Sequence, residues 1–257
     1  MKIGCHVSIA GGIINAPKRA ADLGCEVFQM FTRSPQGGPA PVITPEIAKQ
    51  FKEEMKKWKQ ENCYIHTPYY INFASANKAT RESSARIVRE ELERGSLIGA
   101  KYVMTHLGSS TSLTASSSKD FAREEALKMT AEGIGLVLEG YKGTTKLLLE
   151  ISAGAGNIIG DTFEELGYIL TYDAMKYHKL GICLDSAHMF ASGYDIKKDR
   201  HDHIGHGKIG EMGFVNLMST FPDTDFICET RPDLVKEDME KLKGLRYTGQ
   251  HEQHNFQ

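Results

Sequence analysis

The sequence predicts an α/β protein whose strands run parallel, in a closed or an open sheet. Two patterns carry that prediction, and a third points to chemistry. Seven short apolar, β-rich runs recur along the 257 residues. Amphipathic helical stretches separate them, the alternation that parallel sheets require. Six of the seven runs carry a histidine or a carboxylate as their last or next-to-last residue, so groups able to bind a metal or move a proton recur at one position in the repeating unit.

The strand-like runs are KIGCH at 2–6, EVFQMF at 26–31, CYIH at 63–66, KYVMTH at 101–106, KLLLEI at 146–151, LGICLD at 180–185 and DFICE at 225–229. Their mostly unbroken apolar character suits strands buried on both faces. Helical periodicity covers 45–60, where Pro45 occupies the first turn, then 78–98, 119–140, 161–172, 208–220 and 233–243. Most connections are short. SSTSLTASSSKD at 109–120 is the one long polar loop, read as a surface loop and not as a domain boundary. With 40% hydrophobic residues the chain can bury a large core, and a single domain over 1–257 is expected.

Composition excludes little. The formal net charge is −2, so contact with nucleic acid would depend on a local patch or on bound cations. The basic stretch FKEEMKKWKQ at 51–60 mixes both signs of charge and reads as a solvated helix face. The N-terminal MKIGCHVSIAGG is too short and too polar for a secretory or membrane-spanning segment. Five cysteines, Cys5, Cys25, Cys63, Cys183 and Cys228, are odd in number and lack CxxC spacing. Buried thiols in a reducing, cytoplasmic setting fit them.

The strand ends carry the chemistry: His6, His66, His106, Glu150, Asp185 and Glu229. In a β/α barrel all C-terminal strand ends open on one face, where active sites form. A lone histidine at a strand end is more often a hydrogen-bonded structural residue. The set together is different, because buried carboxylates need partners and clusters of His with Asp or Glu neutralise one another best around divalent cations. Imidazole and carboxylate without a cysteine cluster suit Zn²⁺, with Mn²⁺ or Fe²⁺ as alternatives. The segment CLDSAHMFASGYDIKKDRHDHIGHG at 183–207 adds His188, Asp199 and His201, more groups than one ion can hold, so several ions are expected.

These motifs resemble a known family. GCHVSIAGGI at 4–13, HTPYYINFAS at 66–75, THLGS at 105–109, LEISAGAGNIIG at 149–160, CLDSAHMFASGYD at 183–195, DRHDHIGHGKIG at 199–210 and CET at 228–230 are similar, in order and over nearly the whole chain, to the endonuclease IV type of apurinic/apyrimidinic endonuclease (AP endonuclease family 2). The resemblance implies a TIM (β/α)8-type, xylose-isomerase-like barrel with up to three zinc ions, Mn²⁺ being an option at one of them. It implies His66 and His106 on a first zinc, Glu150 bridging first and second, Asp185 and Glu229 on the second, and His188, Asp199 and His201 on the third. Glu150 and Glu229 become the catalytic carboxylates. His6 lies beside such a site, and His203 and His206 carry no ligand role. The implied reaction is hydrolysis of the DNA phosphodiester on the 5′ side of an abasic site, leaving a 3′-hydroxyl, in base excision repair. The partner is double-stranded DNA with abasic sites, met by a soluble monomer with no membrane contact. An abasic site offers no base to read, so shape, bending and gap-filling side chains must recognise it. Tyr69, Tyr70, Arg33 and Gln36 are the candidate DNA contacts.

The sequence departs from the family at two places. After MFT at 30–32 the family has an arginine and then an aromatic, where this chain has Gln36 and Gly38, which implies weaker DNA distortion. After GYDI at 193–196 the chain runs directly into KKDRHDH, so about one βα unit is missing between Ile196 and Lys197. That unit is strand 7 of the barrel with its neighbouring helix, and its strand ends in a histidine ligand of the second zinc. Strand number, tilt and shear are linked in a barrel, so its loss leaves two strand edges. A single-metal sugar isomerase or epimerase barrel and a catalytically silent DNA-binding relative are the rival readings. Metal stoichiometry separates the first, and binding without cleavage marks the second.

Overall fold

The computed structural model describes residues 1–111, 119–172, 180–193, 202–207 and 209–253. Seven strands lie among them: β1 (Ile3–His6), β2 (Val27–Met30), β3 (Cys63–His66), β4 (Tyr102–Thr105), β5 (Lys146–Glu150), β6 (Leu180–Cys183) and β7 (Phe226–Cys228). The helices are α1 (Ala16–Asp22), α2 (Pro45–Lys57), α3 (Lys78–Ile98), α4 (Lys119–Leu138), α5 (Phe163–Thr171), α6 (Ser186–Ala191), α7 (Gly210–Thr220) and α8 (Val235–Gln253). Every expected strand falls within its sequence window. The chain divides into two compact units.

One unit comprises Met1–Met30, Lys49–Cys63 and Asp195–Gln257. Here β1 lies between β2 and β7 and runs parallel to both, with Cys5 in register with Phe28 on one side and Cys228 on the other. Ile3, Cys5, Val27, Phe28, Phe51 and Met239 are wholly buried. Gly4 is required by contact: a Cβ there would lie 1.7 Å from the Val27 carbonyl oxygen. The cysteines are free thiols; Cys5 and Cys25 touch at 3.5 Å, and Cys25 meets the Met239 sulfur at 3.5 Å.

The other unit comprises Phe31–Ala48 and Tyr64–Tyr194. Its strands run in the order β3, β4, β5, β6, all parallel. Parallel pairing points every C-terminal strand end the same way, which gathers the site. Asn77 begins α3 by accepting a hydrogen bond from the Ala79 amide, and Gly99 ends it in the left-handed region, its N–H donating to Gly95 O. Thr162 caps α5 in the same manner, accepting from the Glu165 amide at 3.2 Å.

Several expected bounds shift. The α2 helix stops at Lys57 and not at 60, because Lys59 takes a positive φ of 54°. The α8 helix runs ten residues beyond the expected 243. The short α1 and α6 helices were not expected; at seven and six residues they are too brief to show a period. No strand is described between β6 and β7 along the chain. The Ile196–Lys197 junction lies outside the described residues, as do Asp199 and His201.

Candidate metal centre

The site is built in the second unit, from the ends of β3, β4, β5 and β6. His66 and Glu150 are the last residues of β3 and β5, His106 follows β4 by one residue, Asp185 follows β6 by two, and His188 sits in α6. These five come together in two groups, His66–His106–Glu150 and Glu150–Asp185–His188, with the potential ligand atoms of each group within 4.8 Å of one another. Glu150 is common to both.

Local hydrogen bonds set the ligands. His66 Nδ1 lies 2.6 Å from its neighbour's carbonyl, Thr67 O; the N–H that donates there leaves Nε2 as a lone-pair atom. Thr67 Oγ1 donates to Thr105 Oγ1 at 2.9 Å, and that hydroxyl donates to His106 O at 3.0 Å, tying the first two ligand-bearing ends together. Asn72 joins the loops that follow β3 and β4: its Oδ1 accepts from the Ser109 amide at 3.1 Å and its Nδ2 donates to Ser109 O at 3.2 Å. Gly108, at φ 101°, makes room, since a Cβ there would stand 2.2 Å from Asn72 Oδ1. Asp185 Oδ1 accepts from the His188 amide at 2.8 Å, which places the imidazole against Glu150.

The centre of this arrangement is a buried carboxylate among imidazoles. Glu150 is 3% exposed. His66 Nε2 lies 3.2 Å from its Oε2, His188 Nδ1 3.2 Å from its Oε1, and His106 Nδ1 4.0 Å from Oε1. Yet among the described residues Oε2 finds no hydrogen-bond donor. Two lone-pair atoms at 3.2 Å repel unless a proton or a cation lies between them, and a ring already donating through Nδ1 faces Oε2 with its lone pair. The donor set therefore fits a divalent cation held by imidazole nitrogen and carboxylate oxygen. Burial by itself would raise the Glu150 pKa, but the imidazoles around it, His188 foremost, outweigh it and hold the carboxyl well below the usual range. Burial would lower the His188 pKa, and Glu150, Asp185 and the Ile151 carbonyl raise it to about 9 instead.

The remaining candidates are placed as follows. Glu229 belongs to the first unit, half-buried and one residue beyond β7; both ligand groups are formed without it. Tyr69 and Tyr70 are 63% and 40% exposed. The Tyr69 ring centroid lies 5.4 Å from that of Phe31 and 6.0 Å from that of His66. Gln36 is exposed, in a loop with Gly37 and Gly38 at positive φ. Arg33 corrects the expectation of a cation offered to DNA. It is 5% exposed, with Nε donating to Glu91 at 2.6 Å and Nη2 to Glu90 at 2.8 Å. Contact with a phosphate would require breaking both pairs. His6, in the first unit, bonds Gln29 Oε1 at 2.5 Å. His203 is buried on Asp238 at 2.8 Å, while His206 is exposed. Phe31 and Asn72 were not singled out by sequence, since neither residue type carries a signal for its contacts.

Comparison with known proteins follows the same lines. Residues 17–198 match the family model described as xylose isomerase-like TIM barrel, and the match ends beside the Ile196–Lys197 junction. A protein named probable endonuclease 4 from Carboxydothermus hydrogenoformans is 31% identical, over 96% of each chain. One of the same name from Cenarchaeum symbiosum is 32% identical, over 96% of this chain and 99% of its own. The first alignment is 285 positions long, longer than this chain, so the relative has residues without a counterpart here. Among solved structures, endonuclease IV from Thermus thermophilus superposes with a TM-score of 0.79 at 26% identity, covering 98% of this chain and all of that one. A D-tagatose 3-epimerase-like protein, 17% identical with a TM-score of 0.70, shares the fold.

Proposed function

Because the chain belongs to the endonuclease 4 family of xylose isomerase-like TIM barrels, we propose that it is a zinc-dependent DNA-repair endonuclease. It hydrolyses the phosphodiester 5′ to an abasic site and leaves a 3′-hydroxyl. The observation that supports this best is the buried Glu150 shared by two ligand groups, a device for two adjacent cations. A single-metal sugar isomerase has no use for it.

The ions, when bound, supply a nucleophilic water at neutral pH and neutralise charge on the phosphate oxygens. The protein's own groups do the rest. His66, His106 and Glu150 would hold the first ion and Glu150 with Asp185 the second, to which the family resemblance adds Glu229. By the family resemblance His188 would take a third with Asp199 and His201, both outside the described residues. Mn²⁺ is a candidate at one of them. The family resemblance gives Glu229 the role of a carboxylate that would orient the attacking water. Tyr69 and Tyr70, exposed beside His66, fill the gap in the base stack, and Gln36 lies against the backbone where the family has a cation. The enzyme acts as a cytoplasmic monomer on duplex DNA, and no helix among the described residues is long and apolar enough to cross a membrane.

The test is incision of a duplex carrying one synthetic abasic site, with metal content measured on the same sample. Incision 5′ of the lesion that a chelator abolishes is the expected result. Binding without incision at full metal content would overturn the catalytic assignment and favour the silent DNA-binding relative. One ion per chain, with turnover of a ketose, would favour the isomerase.

A further inference from the structure

A buried ionic network in the second unit lies behind the metal centre, and the proposed chemistry does not use it. Glu91 of α3 is fully buried. Its Oε1 accepts from Arg33 Nε at 2.6 Å, and its other oxygen accepts from the Thr32 hydroxyl. Arg94, one turn along α3, donates from Nε to Thr32 Oγ1 at 2.8 Å, from Nη2 to Thr32 O at 2.6 Å and from Nη1 to Pro41 O at 2.7 Å. Glu90 takes Arg33 Nη2. The helix therefore grips both ends of the 32–41 loop through two guanidiniums and two carboxylates.

Buried ion pairs are a poor way to gain stability, because desolvation cancels most of the attraction, whereas they fix geometry well. What this one fixes is the residue before Thr32. The Phe31 ring stands edge-on to His66, centroids 5.6 Å apart, and to Tyr69, 5.4 Å apart. One wall of the His66 imidazole and one wall of the exposed tyrosine are thus the same phenyl ring, and that ring is held by the backbone that Glu91 and Arg94 clamp.

We infer that Glu91, with Arg94, is a positioning residue for the metal centre, acting through Thr32 and Phe31 to hold the His66 imidazole and Tyr69 in place. The inference rests on the reading of His66 as a metal ligand. Groups that orient a ligand without touching the ion are worth roughly 10- to 100-fold in affinity, and a loss of that size is expected here.

The experiment measures zinc affinity of the full chain by chelator competition, with melting temperature on the same samples, for Glu91→Gln, Phe31→Leu, the double variant and Leu92→Ala. Leu92 is wholly buried on the same helix but belongs to no part of the clamp, so its truncation supplies destabilisation alone. Glu91→Gln and Phe31→Leu each weaken zinc binding roughly 10- to 100-fold. The double variant is no weaker than the worse single one, as coupled residues require, and Leu92→Ala melts earlier with unchanged affinity. Should Glu91→Gln fail to fold, Phe31→Leu tests the same link without removing a charge. Unchanged affinity in Phe31→Leu, an additive double variant, or an equal loss in Leu92→Ala would each overturn the inference. Failure of the wild-type chain to take up zinc would instead overturn the ligand reading, and the inference with it.

Discussion

Replacing Glu150 by glutamine keeps the shape of the side chain and removes its charge. The structure sets the size of the expected effect. Glu150 is the one member common to both ligand groups, so the substitution leaves each with two good ligands, whereas His106→Ala touches one group only. Partners that merely orient a ligand are worth roughly 10- to 100-fold; a carboxylate that bridges two ions should cost more than that at each position, on the order of 10⁴-fold in incision. The fold should survive, because the amide fits the same space and the four strands that carry the site pair through their backbones. The assay is metal per chain after dialysis, single-turnover incision of an abasic duplex, and circular dichroism on one preparation. Glu150→Gln should lose two ions and His106→Ala one, both remaining folded. Undiminished metal content and incision in Glu150→Gln would refute the shared-carboxylate argument outright.

Three further outcomes follow from particular contacts. Gly108→Ala places a Cβ 2.6 Å from the Asn72 Cα at a φ of 101°; a loss of at least about 2 kcal/mol in urea unfolding is expected, with weaker metal binding, and a wild-type midpoint would show that the loops yield. Tyr69→Ala should weaken binding to an abasic duplex roughly tenfold, the scale of one lost stacking contact, with metal content unchanged; equal affinity would retire its role as a wedge. Burial would raise the Glu26 pKa, but Arg246, the Ile3 amide and Lys243 lower it below 4.5. Its stabilising effect is therefore present above pH 4.5 and lost as pH falls through the folded value. Glu26→Gln should cost about 1 kcal/mol near neutral pH, and denaturant titrations across pH 3–7 should show that difference vanishing in acid; a constant difference would contradict the pairing with Arg246.

The strands and the ligand-bearing ends were legible in the sequence because parallel strands are buried on both faces. Their runs are continuous in apolar residues, and a polar group where such a run stops marks the mouth of the sheet. His66, His106, Glu150 and Asp185 were found in this way, His188 from the polar segment that follows, and the five do meet. The short spacing between GYDI and DRHDH is likewise visible in the sequence, while the junction between them lies outside the described residues. Arg33 was not. Read alone, a cation beside Ser34, Pro35 and two glycines looks exposed, and its burial depends on Glu91, 58 residues away in sequence. The helices α1 and α6 escaped because fewer than eight residues show no period. The sequence by itself determined which elements form and which side chains can bind cations, because periodicity and ligand chemistry are local properties. Only the tertiary structure decided that His188 joins Glu150 and Asp185 in one group, that Arg33 belongs to the scaffold and that Phe31 walls His66, because distances between residues remote in sequence arise from packing, which no local pattern records.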